Sequence, residues 1–190
     1  MSKGLDKFYE LVEAFETLPA IGKKSALRLA YYIVMNDNYC GIKLAHSIEN
    51  ALKSIMKCKR CGSMSENEIC DYCLDESRNC ELLCIVQSAK DIFIIEDSKE
   101  FDGRYFVIED LDISAILKLQ NFIKNNGVKS ILFAITPSIA NDAFIIYIEE
   151  KLKDFNITFT KIAQGVPTGV SLENVDLLSL SKAIQSKVEI

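Results

Sequence analysis

Four cysteines in two CxxC pairs, Cys58-Lys-Arg-Cys61 and Cys70-Asp-Tyr-Cys73, stand eight residues apart near the end of the first third of the chain. A thiolate pair two residues apart can aim both sulfurs at one ion. A second pair across a short loop completes a tetrahedron, the donor set of a structural Zn²⁺ site, and one ion per chain is expected. Gly62 follows the first pair, where such a knuckle has to turn so that backbone amides face the sulfurs. In a secreted chain the same spacing would serve two disulfides. The opening Met1-Ser-Lys-Gly-Leu-Asp-Lys7 has no apolar leader and no apolar run approaches bilayer length, so reduced thiols in the cytoplasm, away from any membrane, are expected. Of the other three cysteines, Cys84 lies in the apolar run Leu82–Val86 and reads as core. Cys80 is close enough to the cluster to be a spare ligand, and Cys40 is outside the pattern.

Upstream of the cysteines the apolar period is helical. Leu5, Phe8, Leu11, Val12 and Phe15 predict one amphipathic helix, with Asp6, Glu10, Glu13 and Glu16 outside. Pro19 and Gly22 break it, and a second helix is expected over Lys24–Met35 with Leu27, Ala30 and Val34 inward. Asn36-Asp-Asn38 ends that helix, and a third is expected from Gly41 to about Lys53. Its apolar face carries Leu44, Ala45, Ile48, Ala51, Leu52 and Ile55. A tight turn ending in glycine before a new helix exposes backbone N–H groups to an anion, and Lys23, Lys24 and Arg28 add positive charge there. Such a helix-hairpin-helix grips a nucleic-acid backbone without reading bases, although the same pattern also suits an ordinary helical hairpin. His46, the single histidine, is on the third helix and supports no catalytic set.

Downstream the pattern alternates. Strands are expected at Leu82–Val86, Arg104–Ile108, Ser130–Ile135 and Ile157–Ala163, and helices at Lys90–Glu96, Ser114–Asn125 and Ala143–Phe155. This predicts an α/β unit with a mostly parallel sheet and helices on both faces. Its functional edge would be at the carboxyl ends of the strands, at Gln87-Ser-Ala, Glu109-Asp110 and Thr136-Pro-Ser-Ile-Ala-Asn-Asp142.

Charge is unevenly shared. The chain carries a net −5, but residues 1–60 hold ten Lys/Arg against six Asp/Glu, a local +4 that leaves −9 on the remainder. The net charge argues against a generally nucleic-acid-binding surface, and any phosphate contact is expected in the first third. Glu66, Glu68 and Asp71 make the loop between the cysteine pairs acidic, which suits a structural joint better than a DNA-reading finger.

The ordered set of hairpin, Cys₄ knuckle, small parallel α/β unit and the tail Gln164-Gly-Val-Pro-Thr-Gly169 resembles the RecR family of bacterial recombination mediators over essentially the whole chain. Leu18-Pro-Ala-Ile-Gly22 stands where the family has LPGIG, with Ala20 in place of the first glycine. Lys24 and Arg28 match the family's basic positions, and Cys58, Cys61, Cys70 and Cys73 match its zinc ligands. The resemblance divides the chain into a helix-hairpin-helix module (1–54), a Cys₄ zinc finger (55–76), a Toprim-like domain (79–163) and a C-terminal Walker B-like oligomerisation segment (164–190). In the last of these Gln164 replaces a usual His, and Val170-Ser171 replaces Gly-Asp. No GxxxxGK[ST] loop is present, so nucleotide hydrolysis is not expected.

A catalytic Toprim site needs a Glu after the first strand and an acidic pair after the third to hold Mg²⁺. Here those positions hold Gln87 and Ala140, leaving Asp142, and the segment Glu109–Ser114 is shorter than the family's loop. The resemblance therefore implies a non-enzymatic, DNA-binding recombination mediator that assembles as a ring-like homo-oligomer, a tetramer by analogy. It would act with RecO or RecF to help load recombinase on gapped or single-stranded DNA, with Glu96 and Asp142 as partner-binding acids. The alternatives are a Mg²⁺-dependent Toprim nuclease using Asp142 and Glu96, and a zinc-dependent protein-interaction module.

Overall fold

The structure, a computed structural model, describes residues 4–185 apart from Gln164 and Pro167. The chain forms two compact units, Met1–Ile55 and Met56–Ile190.

The first unit is helical. Helix α1 (Asp6–Glu16) packs on α2 (Lys23–Tyr31), which runs on into a wider π-helical turn, Tyr32–Asn36, before α3 (Asn38–Ser54). Val12 of α1 and Ala26 and Ala30 of α2 are buried, flanked by Phe8, Leu11, Phe15 and Ile21. This corrects the expected inward set on α2. Leu27 and Val34 are exposed, because the two helices meet at the small alanines, where their backbones can approach. Helix α3 starts three residues earlier than its apolar period suggests, since the Asp37 side chain accepts from Cys40 N at 2.8 Å and caps it. A Cβ on Gly41 would stand 2.4 Å from Ile33 Cγ2, so only glycine lets α3 follow the π turn this closely.

The second unit begins with the cysteine knuckle. Strands β1 (Met56–Lys57) and β2 (Met64–Ser65) pair antiparallel, and the short helix α4 (Asp71–Leu74) follows. Four parallel strands then form one sheet: β3 (Asn79–Val86), β4 (Gly103–Val107), β5 (Ser130–Phe133) and β6 (Thr158–Lys161), in the order β4-β3-β5-β6. Helices α5 (Ala89–Ser98), α6 (Ile113–Asn126) and α7 (Ile139–Lys151) connect them, and α8 (Leu177–Gln185) follows β6. Alternation along β3 splits the core. Leu83 and Ile85 pack with α6 and α7 through Ile116, Leu119, Phe144 and Ile148. Cys84 and Val86 pack on the other face with Ile92 of α5 and Tyr105 of β4. The expected helices on both faces are present, and Cys84 is fully buried.

Most boundaries fall within a few residues of the expected ones. The exception that matters is α7, which begins at Ile139, four residues before the expected Ala143. Ser138 caps it by accepting from Asn141 N at 3.1 Å. Ala140, Asn141 and Asp142 thus sit in a helix's first turn rather than in a loop. Gln164 and Pro167 of the Walker B-like segment lie outside the described residues.

Candidate metal centre and nucleic-acid interface

The knuckle builds its donor set from hydrogen bonds. Cys58 N donates to Ser63 O at 2.7 Å and Gly62 N to Cys58 O at 2.9 Å, turning the chain through the left-handed Gly62 (φ +77°). Cys73 N donates to Cys70 O at 3.0 Å, closing the second pair at the start of α4. All four sulfurs lie within 4.8 Å of one another, and the four cysteines are buried. A tetrahedron with Zn–S near 2.3 Å spaces its sulfurs about 3.8 Å apart. The Cys61–Cys70 and Cys58–Cys73 distances of 3.5 and 4.0 Å bracket that value. Cys70 N donates to Cys58 Sγ at 3.3 Å, the kind of contact that stabilises a thiolate.

Electrostatics point to the same ion. Hydrogen bonding to Cys70 pushes the Cys61 thiol up to about 12, and its bonds with Cys61 and Cys70 push Cys73 up. Cys70 is pushed down, first by its hydrogen bond with Cys61. Without a cation the buried cluster cannot carry four thiolates, and a divalent ion removes that conflict. The residues fit one structural zinc, held by Cys58, Cys61, Cys70 and Cys73. The cluster is joined to the sheet where Val107 N, at the end of β4, donates to Cys61 O at 2.8 Å. The knuckle is therefore a packed part of the second unit. Ser63, the buried polar residue beside Cys61, escaped the sequence reading; its Oγ is 3.2 Å from Cys61 Sγ.

In the first unit, the turn between α1 and α2 holds Ala20 at φ +64°, and Ile21 N donates back to Leu18 O at 3.2 Å. Gly22 is the N-cap of α2 and supplies no side-chain cap, and the first turn contains no acid. The N–H groups that open a helix have no partner within it, and here they are followed by Lys23 and Lys24, with Arg28 one turn on. None of these three cations is in an ion pair within the described structure.

At the carboxyl edge of the sheet, β3 is flanked by β4 and β5, so its neighbouring connections leave in opposite directions and open a crevice. Two amides occupy it: Gln87 Nε2 donates to Asn141 Oδ1 at 2.8 Å, and Asn141 Nδ2 donates to Thr136 O at 2.7 Å. Asp142 stands beside Lys161, 3.5 Å from its Nζ. Glu96 is elsewhere. It bonds Arg78 and the Tyr105 hydroxyl, and Arg78 Nη1 donates to Gly103 O at the amino end of β4. Glu96 and Asp142 thus lie toward opposite edges of the sheet. Asp75, three residues before Arg78, is its ion-pair partner nearby in sequence; its closer partners, Glu96 and Gly103 O, come from α5 and β4, which the sequence reading could not bring together.

Comparison with known proteins agrees with this arrangement. The family model described as RecR, helix-hairpin-helix matches residues 8–52, and the model for the four-cysteine zinc finger domain of RecR matches residues 55–75. Proteins named Recombination protein RecR are similar along the chain. The one from a Nitratiruptor species is 56% identical over 190 residues, covering all of both chains. That from Campylobacter jejuni subsp. doylei is 51% identical over 190 residues, again covering both completely. That from Helicobacter pylori (strain Shi470) is 47% identical over 188 residues, covering 97% of this chain and 96% of its own. With this identity over its full length, a matching hairpin and a Cys₄ centre of zinc geometry, the chain belongs to the RecR family of recombination proteins.

Proposed function

We propose that this protein is a non-enzymatic, DNA-binding mediator of recombinational repair that grips the phosphate backbone through the start of α2. The observation that carries this is the uncapped α2 N-terminus with Lys23, Lys24 and Arg28 free of carboxylates. An open helix start and unpaired cations one turn apart suit phosphate oxygens and carry no base-reading groups. The working parts are residues 1–54 for nucleic acid, 55–76 for zinc, 79–163 as the Toprim-like body and 164–190 for self-association. The family resemblance supports a ring-like homo-oligomer, tetrameric by analogy, acting in the cytoplasm with RecO- or RecF-type partners to assist recombinase loading on gapped or single-stranded DNA. No helix among the described residues is long and apolar enough to cross a membrane.

The amide pair Gln87–Asn141 supports the absence of Mg²⁺ chemistry. Neutral amides are weak ligands for a hard dication, and Lys161 competes for Asp142. Glu96, held by Arg78 and Tyr105 away from that edge, is placed to serve the fold. Asp142, half-exposed on the crevice rim, carries the partner-binding assignment.

Salt-dependent binding of a labelled oligonucleotide tests the reading. The double variant Lys24→Ala, Arg28→Ala is expected to bind more weakly at low salt, with a slope of log K against log[salt] lower by about 1.4 on single strands. An unchanged slope rejects α2 as the contact. Supercoiled plasmid incubated with Mg²⁺ or Mn²⁺ is expected to stay intact, and nicking that Asp142→Ala abolishes would establish the nuclease instead.

A further inference from the structure

The geometry points to a second phosphate-backbone contact, on the α/β unit, in the cleft between the zinc knuckle and α6. A cavity of about 390 Å³ there is lined by Lys59, Arg60, Lys118, Asn121, Asn125 and Asn126, with no carboxylate in its wall. A neighbouring cavity of about 340 Å³ shares Lys59, Arg60 and Lys118, so these three cations form the ridge between the two. Clefts of this size accept groups as large as a nucleotide.

The cations are placed by independent parts of the fold. Arg60 lies between two zinc ligands, and its Nη1 is 3.4 Å from Cys73 O, so the metal site fixes its backbone. Lys118, Asn121 and Asn125 recur at i, i+3 and i+7 and form one stripe along α6. Behind them Arg104 Nη1 donates to Asn126 Oδ1 at 2.6 Å, which turns the Asn126 amide to donate to Phe122 O at 2.7 Å. The Arg104 Nε is itself buried without a hydrogen-bond partner among the described residues.

What distinguishes this surface is its pairing. Lys57 and Lys59 are neutralised by Glu109 and Glu68. Among the described residues, the cleft-lining Arg60 and Lys118 have no carboxylate within ion-pair distance, although the chain beyond residue 60 carries a net −9. Two unpaired cations, Arg60 and Lys118, with amide side chains beside them and no carboxylate in the cavity wall, match phosphodiester oxygens, which accept hydrogen bonds from both. The adjoining cavity is rimmed by Glu109, Asp110 and Asp112, so the contact is confined to the carboxylate-free cavity, where a backbone phosphate meets Arg60 and Lys118.

The inference rests on the nucleic-acid reading above and is tested so that the two can fail separately. Full-length protein is titrated with labelled oligo(dT) over a range of salt, as wild type, as Arg60→Ala/Lys118→Ala, and as Lys24→Ala/Arg28→Ala. Removing Arg60 and Lys118 is expected to lower the salt slope by about 1.4 and weaken low-salt binding roughly tenfold, with zinc content unchanged. Lys118→Glu, a surface change on α6 outside the knuckle, is expected to weaken binding further than Lys118→Ala and keeps the test valid if Arg60→Ala disturbs the knuckle. An unchanged slope in a folded, zinc-loaded Arg60→Ala/Lys118→Ala variant overturns the inference, even where Lys24→Ala/Arg28→Ala abolishes binding and the hairpin reading stands. A lower slope in the first variant with none in the second supports this cleft and removes the hairpin. Loss of partner-protein binding alone, with the DNA slope intact, also overturns it.

Discussion

The guanidinium of Arg78 lies over the ring of Tyr72, 5.0 Å from its centroid, and so ties the helix that ends the knuckle to the sheet. It also faces Tyr105 at 5.6 Å, pairs with Glu96 and donates to Gly103 O. Its side chain is only 13% exposed. Breaking a largely buried pair leaves the other charge uncompensated. Arg78→Ala is expected to cost about 2–4 kcal/mol in urea unfolding, and Arg78→Lys to recover little of it, because an ammonium has neither the planar face nor the fork. Full rescue by lysine would mean that charge alone matters here.

Zinc removal has a defined consequence. The four cysteines belong to the same core as Leu83, Phe106 and Ile116, so the metal's binding energy is folding energy for the second unit. Metal analysis is expected to find about one Zn²⁺ per chain. A strong chelator is expected to lower the melting temperature, and Cys73→Ser to do so without chelator.

Alkaline pH acts through Cys84. Burial pushes its thiol from 9.0 up to about 12. The folded value is raised, so the stability it contributes is complete below pH 9 and is lost as pH climbs from 9 to 12. Tyr105, also pushed up first by burial, acts in the same direction. Unfolding free energy is expected to fall across that window, and Cys84→Ala to flatten the fall whatever its cost at neutral pH. A parallel pH profile in the variant would exclude Cys84.

Ala20 occupies a left-handed backbone position, φ +64°, in the turn before α2. A side chain there costs about 1–2 kcal/mol, while glycine costs roughly 0.5–1 kcal/mol in chain entropy. Ala20→Gly is expected to raise stability by about 0.5–1 kcal/mol, measured by thermal or denaturant melting.

Much of this molecule was legible in one dimension, wherever the signal is local. Two CxxC pairs imply a common ion because four thiolates have few other uses at that spacing, and the helical and strand periods follow from which faces are buried. The hairpin was legible for the same reason, through Pro19, Gly22 and the cations after them. Caps were partly missed: Asp37 and Ser138 start α3 and α7 early, and a polar residue before a helix resembles any loop residue until its hydrogen bond forms.

What tertiary structure alone decided is which distant groups meet. That α1 rests on Ala26 and Ala30 rather than on Leu27 depends on how closely two backbones can approach. That Gln87 bonds Asn141 across 54 positions, that Arg78 holds Glu96 away from Asp142, and that Arg60 faces the Lys118 stripe all follow from strand order and crossover. By itself the sequence determined the metal's donor set, the order of elements and the charge of the hairpin, since each is written within a few residues. The folded chain decided which charges are spent on one another and which stay free for a ligand, because Coulomb and hydrogen-bond energies depend on distance in space, not along the chain.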